Sequence, residues 1–201
     1  MSTQDHLEAL QDIRQMMNKS ARFLTLSGLS GMLAGIYALI AAALAYVKME
    51  ERLPYLIYSK EDNDYFLIVA IGTLIVSVLT SFVLTKRKAQ KQGVSVWDET
   101  AKTAMINLAI PLLAGGAFCV AMLYHNLIGL LAPVALIFYG LALVNVSKHT
   151  FTQVRQLGLI QLSLGIINLF FIGYGLIFWT LGFGLAHIVY GFFMYRKYDV
   201  K

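Results

Sequence analysis

The chain has 201 residues, of which 58% are hydrophobic and 13% charged, about half the charged share of an ordinary soluble domain; composition therefore excludes a soluble globular fold. The net charge of +5 is spread over short segments between apolar runs, which argues against a nucleic-acid patch and for loops sorted by charge across a membrane. The single cysteine, Cys119, sits inside an apolar run and excludes both a disulfide framework and a cysteine metal site.

Residues 1–22 are polar, with Ser2, Thr3 and Asp5 placed to cap a helix and Leu10, Ile13 and Met17 in a three-and-four pattern that Leu24, seven residues on, continues just beyond. This predicts a short amphipathic helix that lies on headgroups, packs on the ends of the spans or pairs with a second copy. Ala41, Ala43 and Ala45 form A-x-A patterns after an apolar run, but the leader before that run is long and holds Asp5, Glu8 and Asp12. An uncleaved first span is expected.

That first span covers about 23–47. Ser27, Gly31 and Gly35 form one stripe and Ala34, Ala38 and Ala42 its neighbour, the small-xxx-small spacing that lets helix backbones approach closely in lipid. Residues 48–64 are mixed in charge and carry Pro54, Tyr55 and Tyr58, suiting an outer interface. The second span, 65–85, ends in Lys86, Arg87 and Lys88; Ser95 and Asp98 can cap the next helix, with Trp97 at the interface. The third, 103–124, is interrupted by Pro111, Gly115 and Gly116. Proline cannot donate to the carbonyl four residues back, so a kink is expected with the Asn107 carbonyl left free. A turn at His125 and Asn126 leads to the fourth span, 127–147, with Pro133 in its first turns. Residues 156–195 contain no charged side chain and exceed one crossing about twofold, so they predict a hairpin. Gly173, Gly175 and Gly182 around Trp179 offer its turn.

Thirteen of the sixteen Lys and Arg then fall on one side and three, all in 48–64, on the other. The fold class is all-α: a polytopic membrane protein of six transmembrane helices in three hairpins (23–195), a cytoplasmic amphipathic helix (1–22) and a basic cytoplasmic tail (196–201), with both termini cytoplasmic.

No Asp, Glu, Lys or Arg falls in a predicted span, which weighs against ion pumps, proton-coupled carriers and voltage sensors. No HExxH, paired Asp or GxSxG is present. His125 and His149 fall at opposite faces, too far apart to share a haem iron. No cofactor and no metal is expected. What remains is a set of neutral polar groups. Gln161 and Asn168, seven apart, share a face of the fifth span, and rise per residue puts Asn168 roughly 18 Å and His187 roughly 13 Å from the basic side. One reading is a small polar cavity lined by Asn107, Gln161, Asn168 and His187 beside the Pro111 kink, holding a small neutral ligand or a lipid. The other is hydrogen-bonded glue between helices. Tyr37, Tyr139, Tyr174 and Tyr190, each beside Gly or Ala, read as packing pieces.

SGLSGMLAGIYALI at 27–40, NLAIPLLAGGAFC at 107–119, LIGLLAPVALIFYGLALVNVSK at 127–148 and GFGLAHIVYG at 182–191 resemble segments of an uncharacterised family of small bacterial integral membrane proteins. The resemblance covers most of the chain and implies six spans in a bacterial inner membrane, without an activity. In its Gly-rich six-span layout alone, the chain is also similar to acid-stress membrane proteins of the HdeD type. The leading expectation is a non-enzymatic binding or accessory subunit, with the bilayer, a second copy or a partner membrane protein as its contacts and no nucleic acid. The alternatives are a channel or carrier for a small neutral or weakly polar solute, or an enzyme acting on a lipid or quinone with His187 as base.

Overall fold

The computed structural model describes residues 27–51, 59–91 and 99–200. They form six helices: α1 Gly28–Glu50, α2 Lys60–Lys91, α3 Glu99–Tyr124, α4 Ile128–His149, α5 Thr152–Phe170 and α6 Ile172–Asp199. No strand occurs among the described residues. The amphipathic helix expected in 1–22, the cap expected from Ser95 and Asp98 and the interfacial Trp97 lie outside them.

Five of the six helices are long and apolar enough to cross a membrane; α5 falls below that hydropathy. Composition explains the exception. Its 19 residues, about 28 Å of helix, include Gln153, Arg155, Gln156, Gln161 and Asn168. Gln161 and Asn168 are completely buried, while Ile160, Ile166 and Ile167 carry the exposed side. Gln161 and Asn168 therefore face protein, whereas Arg155 and Gln156 near the start of α5 are exposed.

The centre of the bundle is α6, which packs on α1, α4 and α5, while α2 adds to α1 and α3 to α4. Two glycine seams hold it together. Along α1 and α6, a Cβ on Gly35 would stand 2.6 Å from the Gly184 carbonyl oxygen, and Gly191 meets the Met32 amide just as closely. Along α4 and α5, Gly140 and Gly158 face each other's backbone. Lipid supplies no hydrophobic drive between helices, so this close van der Waals approach is what binds them. The small-residue stripe of α1 thus serves packing within the chain. Near the basic end, Ala104, Leu143, Val146, Phe151, Val154, Leu157 and Met194 form an apolar core.

The predicted turn at His125 and Asn126 is present. Asn126 has φ 57°, the Leu127 amide donates to Met122 O (2.8 Å) and the Asn126 amide to Leu123 O (3.1 Å), the paired bonds of a Schellman ending. The turn between α5 and α6 differs from expectation. It is made by Phe171 and the 3-10 turn Ile172–Tyr174 that opens α6, so Gly173 lies in it, while Gly175, Trp179 and Gly182 lie beyond it in the body of α6. Gly182 is used instead in a π-helical segment, Thr180–Ala186, for a reason given below. Helix α3 continues through Pro111 from Glu99 to Tyr124. Gly115 lets it close on Phe138, whereas Gly116 has open space at its missing side chain.

Each end of the bundle carries a polar lock. At one end Ser59 and Asp62 cap α2 reciprocally: the Ser59 amide donates to Asp62 Oδ2 (2.9 Å) and the Asp62 amide to Ser59 Oγ (3.2 Å). Asp62 also lies 3.8 Å from Lys48 Nζ of α1. At the basic end Asp199 accepts from Lys88 Nζ (2.6 Å), from the Gly28 amide (2.9 Å) and from Ser27 Oγ (3.2 Å). One carboxylate thereby joins the last turn of α6 to the start of α1 and the end of α2, and sits where the α1 dipole favours an anion.

Candidate functional site

Polar side chains inside a bundle must find partners in protein, because lipid offers none. One such group, in the middle of the bundle, is built around the carbonyl oxygen of Gly182. In the π-helical segment of α6 the backbone pairing is altered, and the Gly182 oxygen accepts from two side chains: Gln161 Nε2 of α5 at 2.7 Å and His187 Nδ1 at 3.0 Å. Because that oxygen can only accept, the 3.0 Å contact assigns the ring hydrogen to Nδ1, which leaves the 3.3 Å approach of Gln161 Nε2 to Nδ1 a contact between two donors, and Nε2 of the neutral ring then accepts from the Tyr139 hydroxyl of α4 at 2.9 Å. The imidazole ties α4 to α6, and the carbonyl it shares with Gln161 brings in α5. Glycine at 182 leaves room for both neighbours, since a Cβ there would lie 2.5 Å from both Gln161 Oε1 and Leu136 Cδ2 and would have to displace these side-chain ends.

Aromatic rings enclose the imidazole. Trp179, Phe183 and His187 recur every fourth residue on α6, with centroids 5.4 Å apart for the first pair and 6.0 Å for the second. Tyr139 stacks on His187 at 5.4 Å and 26°. His187 is 6% exposed and Gln161 0%, so water reaches neither freely. Gln161 Oε1 has no hydrogen-bond partner.

Of the four candidate residues, the structure brings Gln161 and His187 together. Asn168 lies seven residues further along α5, about 10 Å, where its Nδ2 donates to Phe171 O at 2.9 Å and closes the α5 to α6 turn. Its Oδ1 is buried and unpartnered. Asn107 lies on α3; its Nδ2 donates to Thr103 O and its carbonyl accepts from Asn145 Nδ2, both at 2.8 Å. The carbonyl freed by Pro111 is therefore satisfied from α4. Sequence reasoning missed Tyr139, treated as a packing piece, and the Gly182 carbonyl, treated as part of a turn. It also missed Asp199, which sits in a tail read only as basic. The signal for the first two was available as the fourfold aromatic spacing 179, 183 and 187 with glycines between.

Among the described residues no group of His, Cys, Asp and Glu is arranged to hold a metal ion. Comparison with protein-family models, with curated proteins and with solved structures matches none of them to this chain.

Proposed function

We propose that the chain is a six-span protein of a bacterial inner membrane, with both termini and the basic loops cytoplasmic, acting as a non-enzymatic binding or accessory subunit. The observation that carries this reading is the engagement of His187 at both ring nitrogens, by Gly182 O and by the Tyr139 hydroxyl. A general base needs a free lone pair within reach of a substrate proton; here that lone pair is occupied and buried, and the residue, with the carbonyl it shares with Gln161, serves to lock three helices. The outer faces of α2 and α3, rich in exposed Ile, Leu and Val, are left for lipid, a second copy or a partner membrane protein.

Reconstitution tests it. Proteoliposomes holding the chain are expected to pass small neutral solutes no faster than empty liposomes, with or without His187→Ala. Flux that is present in the parent chain and abolished by His187→Ala would establish the carrier reading instead, which the unpartnered Gln161 Oε1 beside His187 favours. Topology is tested separately on a Cys119→Ala background: Asn126→Cys and Gly173→Cys are expected to label from outside intact cells, and Gly93→Cys only after permeabilisation. The reverse pattern would overturn the orientation.

A further inference from the structure

A groove of about 930 Å³ runs along the outside of the bundle between α5 and α6 at the basic end. Its walls are apolar, with Ile160, Leu185, Val189 and Phe193 all exposed. Its mouth is polar and cationic, made of Gln153, Gln156, Arg196 and Lys197, and no carboxylate lines it. Arg196 rests over the Phe192 ring at 5.8 Å and Lys197 over Tyr198 at 5.3 Å; neither pairs with a carboxylate among the described residues. The nearby acid, Asp199, is committed to Lys88 and the start of α1.

Dimensions and charge select the occupant. From Leu185 to Lys197 the rise along α6 is about 18 Å, close to the depth of one leaflet of a hydrocarbon core about 30 Å thick. An acyl chain lying against the apolar wall places its headgroup at the mouth, where two cations and two amides meet it.

We propose that this groove seats an acyl chain of an anionic phospholipid from the leaflet at the basic end, with the lipid phosphate held by Arg196 and Lys197. Basic side chains near an anionic headgroup attract it individually and add; the apolar wall makes the attraction local to one lipid. The inference rests on the six-span reading and gives the binding role proposed above a class of ligand.

The full chain in mild detergent, mixed with equal phosphatidylglycerol and phosphatidylcholine and weighed intact by native mass spectrometry, provides the test. Retention of one phosphatidylglycerol over phosphatidylcholine is expected by about 30-fold, the preference that two cations supply. Arg196→Gln with Lys197→Gln is expected to remove the preference. Val189→Trp, which fills the wall and keeps both cations, is expected to lower retention of both lipids. Lys86→Gln with Arg87→Gln, two exposed cations at the same end outside the groove, is expected to change nothing. Equal retention of the two lipids by the parent chain, or loss of preference in the Lys86 and Arg87 variant to the same degree, would overturn the site. Failure of the span reading shows instead in the thiol-labelling pattern, which this site leaves untouched.

Discussion

The side-chain amide of Asn145 on α4 lies 2.8 Å from the carbonyl oxygen of Asn107 on α3, four residues before Pro111. Proline denies that carbonyl its helical donor, and a side chain from the neighbouring helix replaces it. The bond is thus a repair, and its worth depends on the proline. Asn145→Ala is expected to destabilise the bundle by about 1–3 kcal/mol, the cost of an unsatisfied buried polar group. In a Pro111→Ala background the backbone amide of residue 111 is restored, and the same substitution is expected to cost about 0.5 kcal/mol or less, within the range of a single interhelical bond. Thermal unfolding of the four proteins in detergent closes the cycle; equal costs in both backgrounds would refute the repair.

Gly182 and Gly116 offer a matched pair of substitutions. An added methyl at Gly182 meets Gln161 Oε1 and Leu136 Cδ2, both at 2.5 Å, whereas at Gly116 it meets nothing within 4 Å. Gly182→Ala is expected to lower stability by about 1–3 kcal/mol through overpacking and to displace the Gln161 amide. Gly116→Ala is expected to be neutral or to raise stability by up to about 1 kcal/mol, since alanine is the better helix former. Unfolding temperature and protease resistance distinguish the two.

The all-helical fold and the apolar runs long enough to cross a membrane were legible because such runs, separated by charged segments, leave the chain few alternatives in lipid. The free carbonyl at Asn107 was legible for the same kind of reason: the missing proline donor is a local covalent fact. Its partner was not, because Asn145 is 38 residues away and only the packing of α3 on α4 selects it. Asn168 and His187 were expected at similar depth from rise per residue alone, yet Asn168 serves the turn beyond α5 and His187 turns toward Tyr139 and Gln161. Side-chain direction around a helix is set by its neighbours, and the π-helical segment of α6 shifts the register from any estimate based on regular helix. Gly182 was legible as a glycine with a purpose, but a close side-chain approach and a turn call for the same residue type.

Tyr139→Phe removes the hydroxyl that donates to His187 Nε2 while keeping the ring that stacks at 5.4 Å. The expected loss is about 0.6–1.7 kcal/mol, the range measured for interhelical hydrogen bonds in membranes. Nitrogen chemical shifts of labelled His187 are expected to report the Nδ1–H tautomer in the parent chain and to move at Nε2 in the variant. A parent spectrum with the hydrogen on Nε2 would reverse the bonding assigned around Gly182.

Asp199 performs two tasks with one carboxylate, and two substitutions separate them. Its Oδ1 meets Lys88 Nζ at 2.6 Å, while Oδ2 accepts from the Gly28 amide at 2.9 Å and from Ser27 Oγ at 3.2 Å. Both partners of the ion pair are largely buried, with side-chain exposures of 13% for Lys88 and 9% for Asp199, so solvent does little to screen it. Asp199→Asn keeps an acceptor for the start of α1 and removes the charge; the expected loss is about 1–2 kcal/mol, drawn from the charge-assisted bond to Lys88. Asp199→Ala removes the cap as well, adding about 1 kcal/mol for a lost helix N-cap. The charge term should shrink with added salt less than an exposed pair does, so the gap between parent and Asp199→Asn is expected to persist at high ionic strength. Unfolding of the three proteins at low and high salt checks both steps. If the two variants were equally stable, the carboxylate would not be capping α1; if high salt erased the loss in Asp199→Asn, the ion pair would be a surface contact and the tail would not anchor α6 to its neighbours.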